Sequence, residues 1–299
     1  MKALSDVSLQ TAPQSFNAGN VAIKKMSDGI SYEHHDMLAI EEPLEIRLSG
    51  NKKGEQVISS ISVTMRTPGN DEELAKGFLF TEGIIGHDTT LQKTETFVCS
   101  EGRENIITLA LTSGQIPDLS GSERNFYTTS SCGVCGKSSI ASIRTRQPFQ
   151  LATTDQGCID SDVLLQLPAI MQSQQDLFSA TGGLHACGLF NTHGALLDLK
   201  EDVGRHNALD KLIGKAFTAG LLPLRDHVLL LSGRASFELV QKAAMAGIAT
   251  IAAIGAPSSL AVELASECNI TLVGFLRGRS FNIYTGAERI KSYRHENKN

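Results

Sequence analysis

The sequence predicts a mixed α/β chain, with a smaller β-rich N-terminal part and a layered α/β C-terminal part built on a sheet with parallel members. Two observations carry this. Between Glu42 and about Ser113, apolar residues recur with period two, the spacing of half-buried strands. From about residue 159 onward, short apolar runs alternate with stretches of helical periodicity, the order expected of strands and helices packed in layers.

Residues 1–18 are polar and patternless, and a loose leader is expected over 1–30. The β-rich part is expected over 31–137. Its strands are Leu44–Leu48, Ile61–Met65 and Ile106–Leu111. Asn70-Asp71-Glu72-Glu73 has the spacing of a capping box, opening a helix through Leu74, Phe78 and Leu79 toward Gly83. Residues 113–137 are rich in Gly, Ser and Thr, and a loop that long inside a compact domain is functional or disordered. The α/β part is expected over 138–290. A helix covers 161–175, and strands His185–Phe190 and Leu196–Leu199 follow, joined by the turn Asn191-Thr192-His193-Gly194. A helix runs from Gly204 to Ala219, with Ala208, Leu209, Leu212 and Ile213 at helical spacing. Strand His227–Leu231, helix Ala235–Ala246, strand Ala249–Ile254, helix Ser259–Glu267 and strand Thr271–Phe275 complete the order. A charged tail, 291–299, ends the chain.

Composition narrows the class. The chain has 299 residues, 41% hydrophobic and 20% charged, with no tryptophan, as in an ordinary globular protein. A net charge of −5 gives no reason to expect nucleic acid as the main partner. The first residues lack the apolar run of a signal peptide. The most apolar stretch, 243–265, is broken by Pro257-Ser258-Ser259, so no membrane span is expected. Six cysteines are scattered without a dense framework, which fits a reduced, cytoplasmic setting.

The densest chemistry lies in SSCGVCGK at 130–137. Cys132 and Cys135 have C-x-x-C spacing, each followed by a glycine that leaves its sulfur uncovered. Lys137 would favour the thiolate, the form that attacks or ligates. Three uses fit such a pair. It could supply half of a tetrahedral zinc site completed by His185 and Cys187, although those two look like neighbours on the same face of a buried strand. It could exchange disulfides, although a thioredoxin-type pair follows a strand and opens a helix in a much shorter chain. Or it could relay sulfur, where an exposed thiolate takes the terminal sulfur of a persulfide and delivers it elsewhere. A zinc deaminase is disfavoured, because no H-x-E triplet precedes Cys132 and Ser131 stands where proline is required. On the residues alone the three uses stay open.

Anions have three candidate seats. Ser232-Gly233-Arg234-Ala235-Ser236 and Gly255-Ala256-Pro257-Ser258-Ser259 each follow an apolar strand and open a helix, where free N–H groups suit phosphate. Serine capping explains either one equally well. Arg277-Gly278-Arg279-Ser280 places two guanidiniums around a glycine, a fork for phosphate oxygens that alone reads as an exposed basic turn. The polar run Glu201–Asn207 sits at a helix mouth, with His206 and Asp210 one turn apart; spacing alone favours a solvated helix start with an ion pair.

The long runs resemble the FdhD family of sulfur carrier proteins required for formate dehydrogenase activity, from about residue 40 to 288. The matching motifs are MRTPGNDEELAKGFLFTEGII at 65–85, SSCGVCGK at 130–137 and TGGLHAC at 181–187. EDVGRHNALDKLIG at 201–214, SGRASFELVQKAAMAGI at 232–248, and APSSLAVELA followed by TLVGFLRGRSFNIYT at 256–285 extend the match. The resemblance implies a sulfurtransferase that takes sulfur from a cysteine desulfurase. It would pass the sulfur to a molybdenum (or tungsten) bis-guanine dinucleotide cofactor before that cofactor enters formate dehydrogenase. It further implies Cys132 as the persulfide carrier with Cys135 as its partner. Contact with the cofactor, guanine nucleotide included, falls to Phe275, Leu276, Arg277, Gly278, Arg279 and Ser280. A cytidine-deaminase-like C-terminal fold, a homodimer and no bound metal are implied as well.

Overall fold

The computed structural model describes residues 17–52, 54–98, 104–116, 148–151 and 158–291. Strands β1 (Ala18–Ser27) and β2 (Ile30–Ala39) form an antiparallel hairpin, in register from Ala18 opposite Ala39 to Ser27 opposite Ile30. Its turn is Asp28-Gly29, both with positive φ (50° and 79°), the backbone of a type I′ turn. The leader expected over 1–30 is thus corrected for 18–30, which is strand and turn. The Asp-Gly pair is the signal, hidden by the charged side chains that both strands expose.

β3 (Glu42–Lys52), β4 (Glu55–Arg66), helix α1 (Asp71–Thr81), β5 (Leu91–Val98) and β6 (Glu104–Gln115) follow. The sheet order is β4-β3-β6-β5, with β3 and β6 parallel and the outer pairs antiparallel. Leu44, Ile46 and Leu48 alternate along β3 onto one face. They share an apolar cluster with Ile61, Ile107 and Leu109 of the sheet and Leu74, Leu79 and Phe80 of α1. Alternation misses β5 because residues 92–96 are all polar. The helix begins where expected, but no capping box forms. Asn70 has φ 57° and makes no side-chain cap bond. Asp71 is drawn instead to Arg66, whose Nε and Nη2 donate to its two oxygens at 2.9 and 2.8 Å.

The C-terminal part contains β7 (Ile159–Asp160), α2 (Ser161–Gln172), α3 (Asp176–Thr181), β8 (His185–Asn191), β9 (Leu196–Asp202) and α4 (Arg205–Thr218). β10 (His227–Leu231), α5 (Phe237–Met245), β11 (Thr250–Ala253), α6 (Ser259–Glu267), β12 (Thr271–Arg277), β13 (Ser280–Thr285) and β14 (Ile290–Lys291) complete it. Six strands make one sheet in the order β13-β12-β11-β10-β8-β9, and β10, β11 and β12 run parallel at its centre. The expected mixed α/β layering is present, with antiparallel strands flanking the parallel core. Val228 and Leu230 face a cluster with Leu164, Leu167 and Met171 of α2. Leu229 and Leu231 face the opposite cluster with α4, α5 and α6. Burial on both faces explains why β10 reads as an unbroken apolar run. No helix among the described residues is long and apolar enough to cross a membrane.

The two parts meet along α1 and α4. A Cβ on Gly77 would fall on the Asp210 carbonyl, and one on Gly214 on the Glu73 carbonyl, so the helices cross backbone to backbone. One apolar cluster runs through both parts, from Leu44 to Leu272. A buried ion group reinforces the crossing: Lys242 Nζ donates to Asp210 Oδ2 (2.9 Å), Glu82 Oε1 (3.1 Å) and Thr81 Oγ1 (2.9 Å). Burial pushes Asp210 up to about 6, a rise that Lys242 limits. Burial alone would lower Lys242, but Asp210 and Glu82 hold it above its ordinary value, so it stays an ammonium.

Candidate functional site

The carboxyl ends of β10, β11 and β12 lie together, the place where ligands bind in such sheets. Three loops interlock there. Gly255 N donates to Gly233 O (2.9 Å), Phe275 N to Gly255 O (3.0 Å), and Ala235 N to Ala256 O (3.2 Å). A Cβ on Gly255 would lie 3.0 Å from Gly233 O and 3.1 Å from Arg234 Cα, so a glycine allows this approach. Both serine junctions do open helices. Ser258 Oγ caps α6 by accepting from Ala261 N, whereas Ser236 makes no side-chain cap bond on α5. Ser232 Oγ accepts from Ala186 N (2.8 Å), tying β8 to the end of β10.

β12 is bent as it leaves the sheet. Phe275 has φ 54°, a left-handed conformation that a bulky residue rarely adopts, at a cost of about 1–3 kcal/mol. The register with β13 breaks there, between Gly274 and Arg277. Leu276 then turns into the core, and the Arg277 guanidinium lies 5.6 Å from the centre of the Phe275 ring. Gly278, at φ 62°, turns the chain back so that Ser280 pairs with Arg277.

A cleft of about 860 Å³ opens against this bend. Leu276, Arg277 and Gly278 form one wall, Ser232, Gly233 and His185 the floor of polar groups, and Leu165, Pro168 and Phe178 an apolar side. Of the six expected cofactor residues, three therefore line it. Phe275 supports Arg277 from behind, while Arg279 and Ser280 are exposed on the turn, outside the lining. Sequence reasoning missed Phe178 and His185 as cleft residues. The signal was Gly182-Gly183 between a helix and a strand, at the edge of the same concavity.

The Cys187 thiol is buried, 4.0 Å from the Arg205 carbonyl, and burial pushes its pKa upward. Among the described residues no group of three or more His, Cys, Asp or Glu is arranged to hold a metal. His185 stands at the cleft; burial first and then Arg205 lower its pKa, Asp202 opposes them, and Arg234 adds a smaller lowering.

The run Glu201–Asn207 is neither a solvated helix start nor a ligand cluster. Glu201 accepts from Leu177 N and Phe178 N at the head of α3. Asp202 is fully buried and accepts from Thr67 N (3.1 Å), Gly204 N (2.8 Å) and Lys211 Nζ (2.7 Å). Asn207 reaches Met65 O at 2.7 Å. Asp210 serves Lys242 and Thr81, and His206 Nε2 lies 4.0 Å from Glu238. Asp202, Asn207 and Asp210 thereby join the two parts of the chain. Cys132, Cys135 and Lys137 lie outside the described residues.

A family model described as FdhD/NarQ matches residues 39–291. The chain belongs to the FdhD/NarQ family. It is 48% identical over 271 residues to a protein of Streptomyces avermitilis named sulfur carrier protein FdhD, covering 89% of this chain and 93% of that one. A protein of the same name from Mycolicibacterium paratuberculosis is 48% identical over 274 residues, covering 90% and 97%. One from Sulfolobus acidocaldarius is 42% identical over 270 residues. In shape, the chain is similar to a crystal structure from Desulfotalea psychrophila that is assigned, by inference, as a formate dehydrogenase accessory protein. That similarity has a TM-score of 0.67 at 27% identity and covers 92% of this chain and 99% of the other.

Proposed function

We propose that this FdhD/NarQ protein is a sulfur carrier that serves formate dehydrogenase. Cys132 attacks the terminal sulfur of a persulfide on a cysteine desulfurase; that sulfur becomes bonded to Cys132, and the donor leaves as a thiolate. Attack of the Cys135 thiolate on Cys132 Sγ then breaks the new S–S bond and releases the sulfur as hydrosulfide. Both electrons come from the two thiols, which end as a disulfide for a thiol reductant to reopen. The acceptor is a molybdenum or tungsten bis-guanine dinucleotide cofactor, bound as substrate before it enters the dehydrogenase. A cytoplasmic homodimer is part of this reading.

What supports the acceptor site is the cleft at the end of β12. It is of ligand size, apolar on one side, and carries Arg277 and open backbone donors on the other. A pyrophosphate would meet Arg277 and the loop at Gly233, with the guanine against Phe178 and Pro168.

Mass spectrometry after incubation with a cysteine desulfurase and cysteine tests the carrier step. Added sulfur should appear on Cys132 and vanish in Cys132→Ala, with slower turnover in Cys135→Ala. Wild-type loading of Cys132→Ala at another residue would overturn the assignment. Titration with guanosine diphosphate tests the cleft. One charged hydrogen bond contributes about 1.5–3 kcal/mol, so Arg277→Ala should bind roughly ten- to a hundredfold more weakly. Arg279→Ala, outside the lining, should change affinity by less than about threefold. Equal loss in both variants would assign the contact to the turn as a whole.

A further inference from the structure

The cleft holds one titratable side chain that the sulfur chemistry does not use. His185 begins β8 beside the end of β10, at the level of Gly233, where an added Cβ would stand 3.5 Å from its Nδ1. Glycine at 233 thus leaves both the imidazole and the loop backbone open to the cleft. Among the described residues the N–H groups of Gly233 and Arg234 meet no acceptor, and Gly233 lines the cleft together with His185.

The charges around the ring come from every side. Asp202 of β9 stands opposite it in register, Arg205 begins α4, Arg234 lies in the loop after β10, and Arg277 of β12 lines the same cleft. Three cations and one carboxylate make the surroundings of the ring positive. A second proton on the ring is therefore disfavoured until an anion arrives. Asp202 offsets part of this, but Lys211 and backbone N–H groups already hold both of its oxygens, and burial and Arg205 outweigh it.

We propose that His185 contacts the pyrophosphate of the cleft's ligand and takes up a proton as that ligand seats. This rests on the reading of the cleft as a nucleotide site. Seating the anion reverses the local field, so the imidazole gains a proton and donates from both nitrogens. By linkage, affinity rises as pH falls between the bound and free pKa values of the ring, at most about tenfold per pH unit for one proton. The cleft then distinguishes a diphosphate bridge from a neutral ligand of the same shape by the proton it recruits.

The probe is a guanosine diphosphate sugar, whose diester pyrophosphate does not itself titrate near neutrality. It is titrated into the full-length protein from pH 5.5 to 8, in buffers of different ionisation enthalpy. Wild type should bind more tightly toward acid, by about fivefold or more across this range, with net proton uptake. His185→Gln, which keeps a polar side chain of similar reach, should lose both the pH slope and the uptake. In the unsubstituted protein, ring-nitrogen resonances should show one of the eight histidines gaining its second proton on ligand addition. Uptake that persists in His185→Gln, or the absence of any histidine that changes charge, would overturn the proposal while leaving the nucleotide site intact. Failure of the probe to bind at any pH would overturn the nucleotide reading and this proposal together.

Discussion

Gly214→Ala should destabilise the protein by about 3 kcal/mol or more, and Gly77→Ala by a similar amount. The new methyl group at 214 has nowhere to go, because the Glu73 carbonyl already occupies its position. At an ordinary helix crossing, side chains interdigitate and can shift rotamer to make room. Here the obstacle on each helix is the backbone of the other, so relief requires moving α1 away from α4. Such a movement would open the apolar cluster shared by both parts and stretch the bonds from Thr67 to Asp202 and Lys211. Alanine is the better helix former, so propensity alone would predict a gain of up to about 1 kcal/mol. Denaturant unfolding decides between the two. Gly19→Ala is the matched control, since nothing lies within 4 Å of its added Cβ, and it should leave stability within about 0.5 kcal/mol.

Lys242→Met should cost about 3–5 kcal/mol at pH 8, or roughly 10 °C in melting temperature. The methionine fills most of the volume, so the loss is electrostatic. Asp210 and Glu82 would be left buried near each other with no cation between them. The pH dependence has a definite sign. Asp210 sits above its ordinary 3.8 already, at about 6. A carboxyl raised in the fold contributes its stability in full below its unfolded value and loses it as pH rises through its folded value. Without the ammonium that folded value rises further, so the deficit of the variant should be largest at pH 8 and narrow toward pH 5. A deficit independent of pH would point to packing as the cause.

Much of the C-terminal layer is legible in the sequence because periodicity and burial agree there. Ser259–Glu267 begins and ends as a helix where the pattern predicts, and His227–Leu231 is a strand end to end. Elements that face water on one side are harder to see. β13 and the β1–β2 hairpin mix polar and apolar residues at their exposed positions, so no period of two marks them, and only Asp28-Gly29 announces the hairpin. The polar run from Glu201 is misread for a different reason. Sequence spacing shows His206 and Asp210 as neighbours, but the actual partners of Asp210, Thr81 and Lys242, come from about 130 residues before and 32 after it. Long-range partners leave no local period. The segment from Phe275 to Ser280 is partly legible: two arginines around a glycine mark an exposed basic turn. That one arginine reaches the cleft and the other does not follows from the left-handed Phe275, which no propensity foretells.

The backbone contact between Gly77 and Gly214 also limits how this chain can change over evolutionary time. Families often diversify by trading one module for another across a linker, keeping each module's interior intact. That route is narrowed here, because the larger apolar interior belongs to both halves, and only the C-terminal half has a second one of its own. A transplanted C-terminal layer would arrive with a glycine groove and a charged pocket shaped for a helix its new host lacks. Change is therefore confined to what hangs from the frame, such as the β1–β2 hairpin and the turn at Gly278, while the frame is inherited as a single unit.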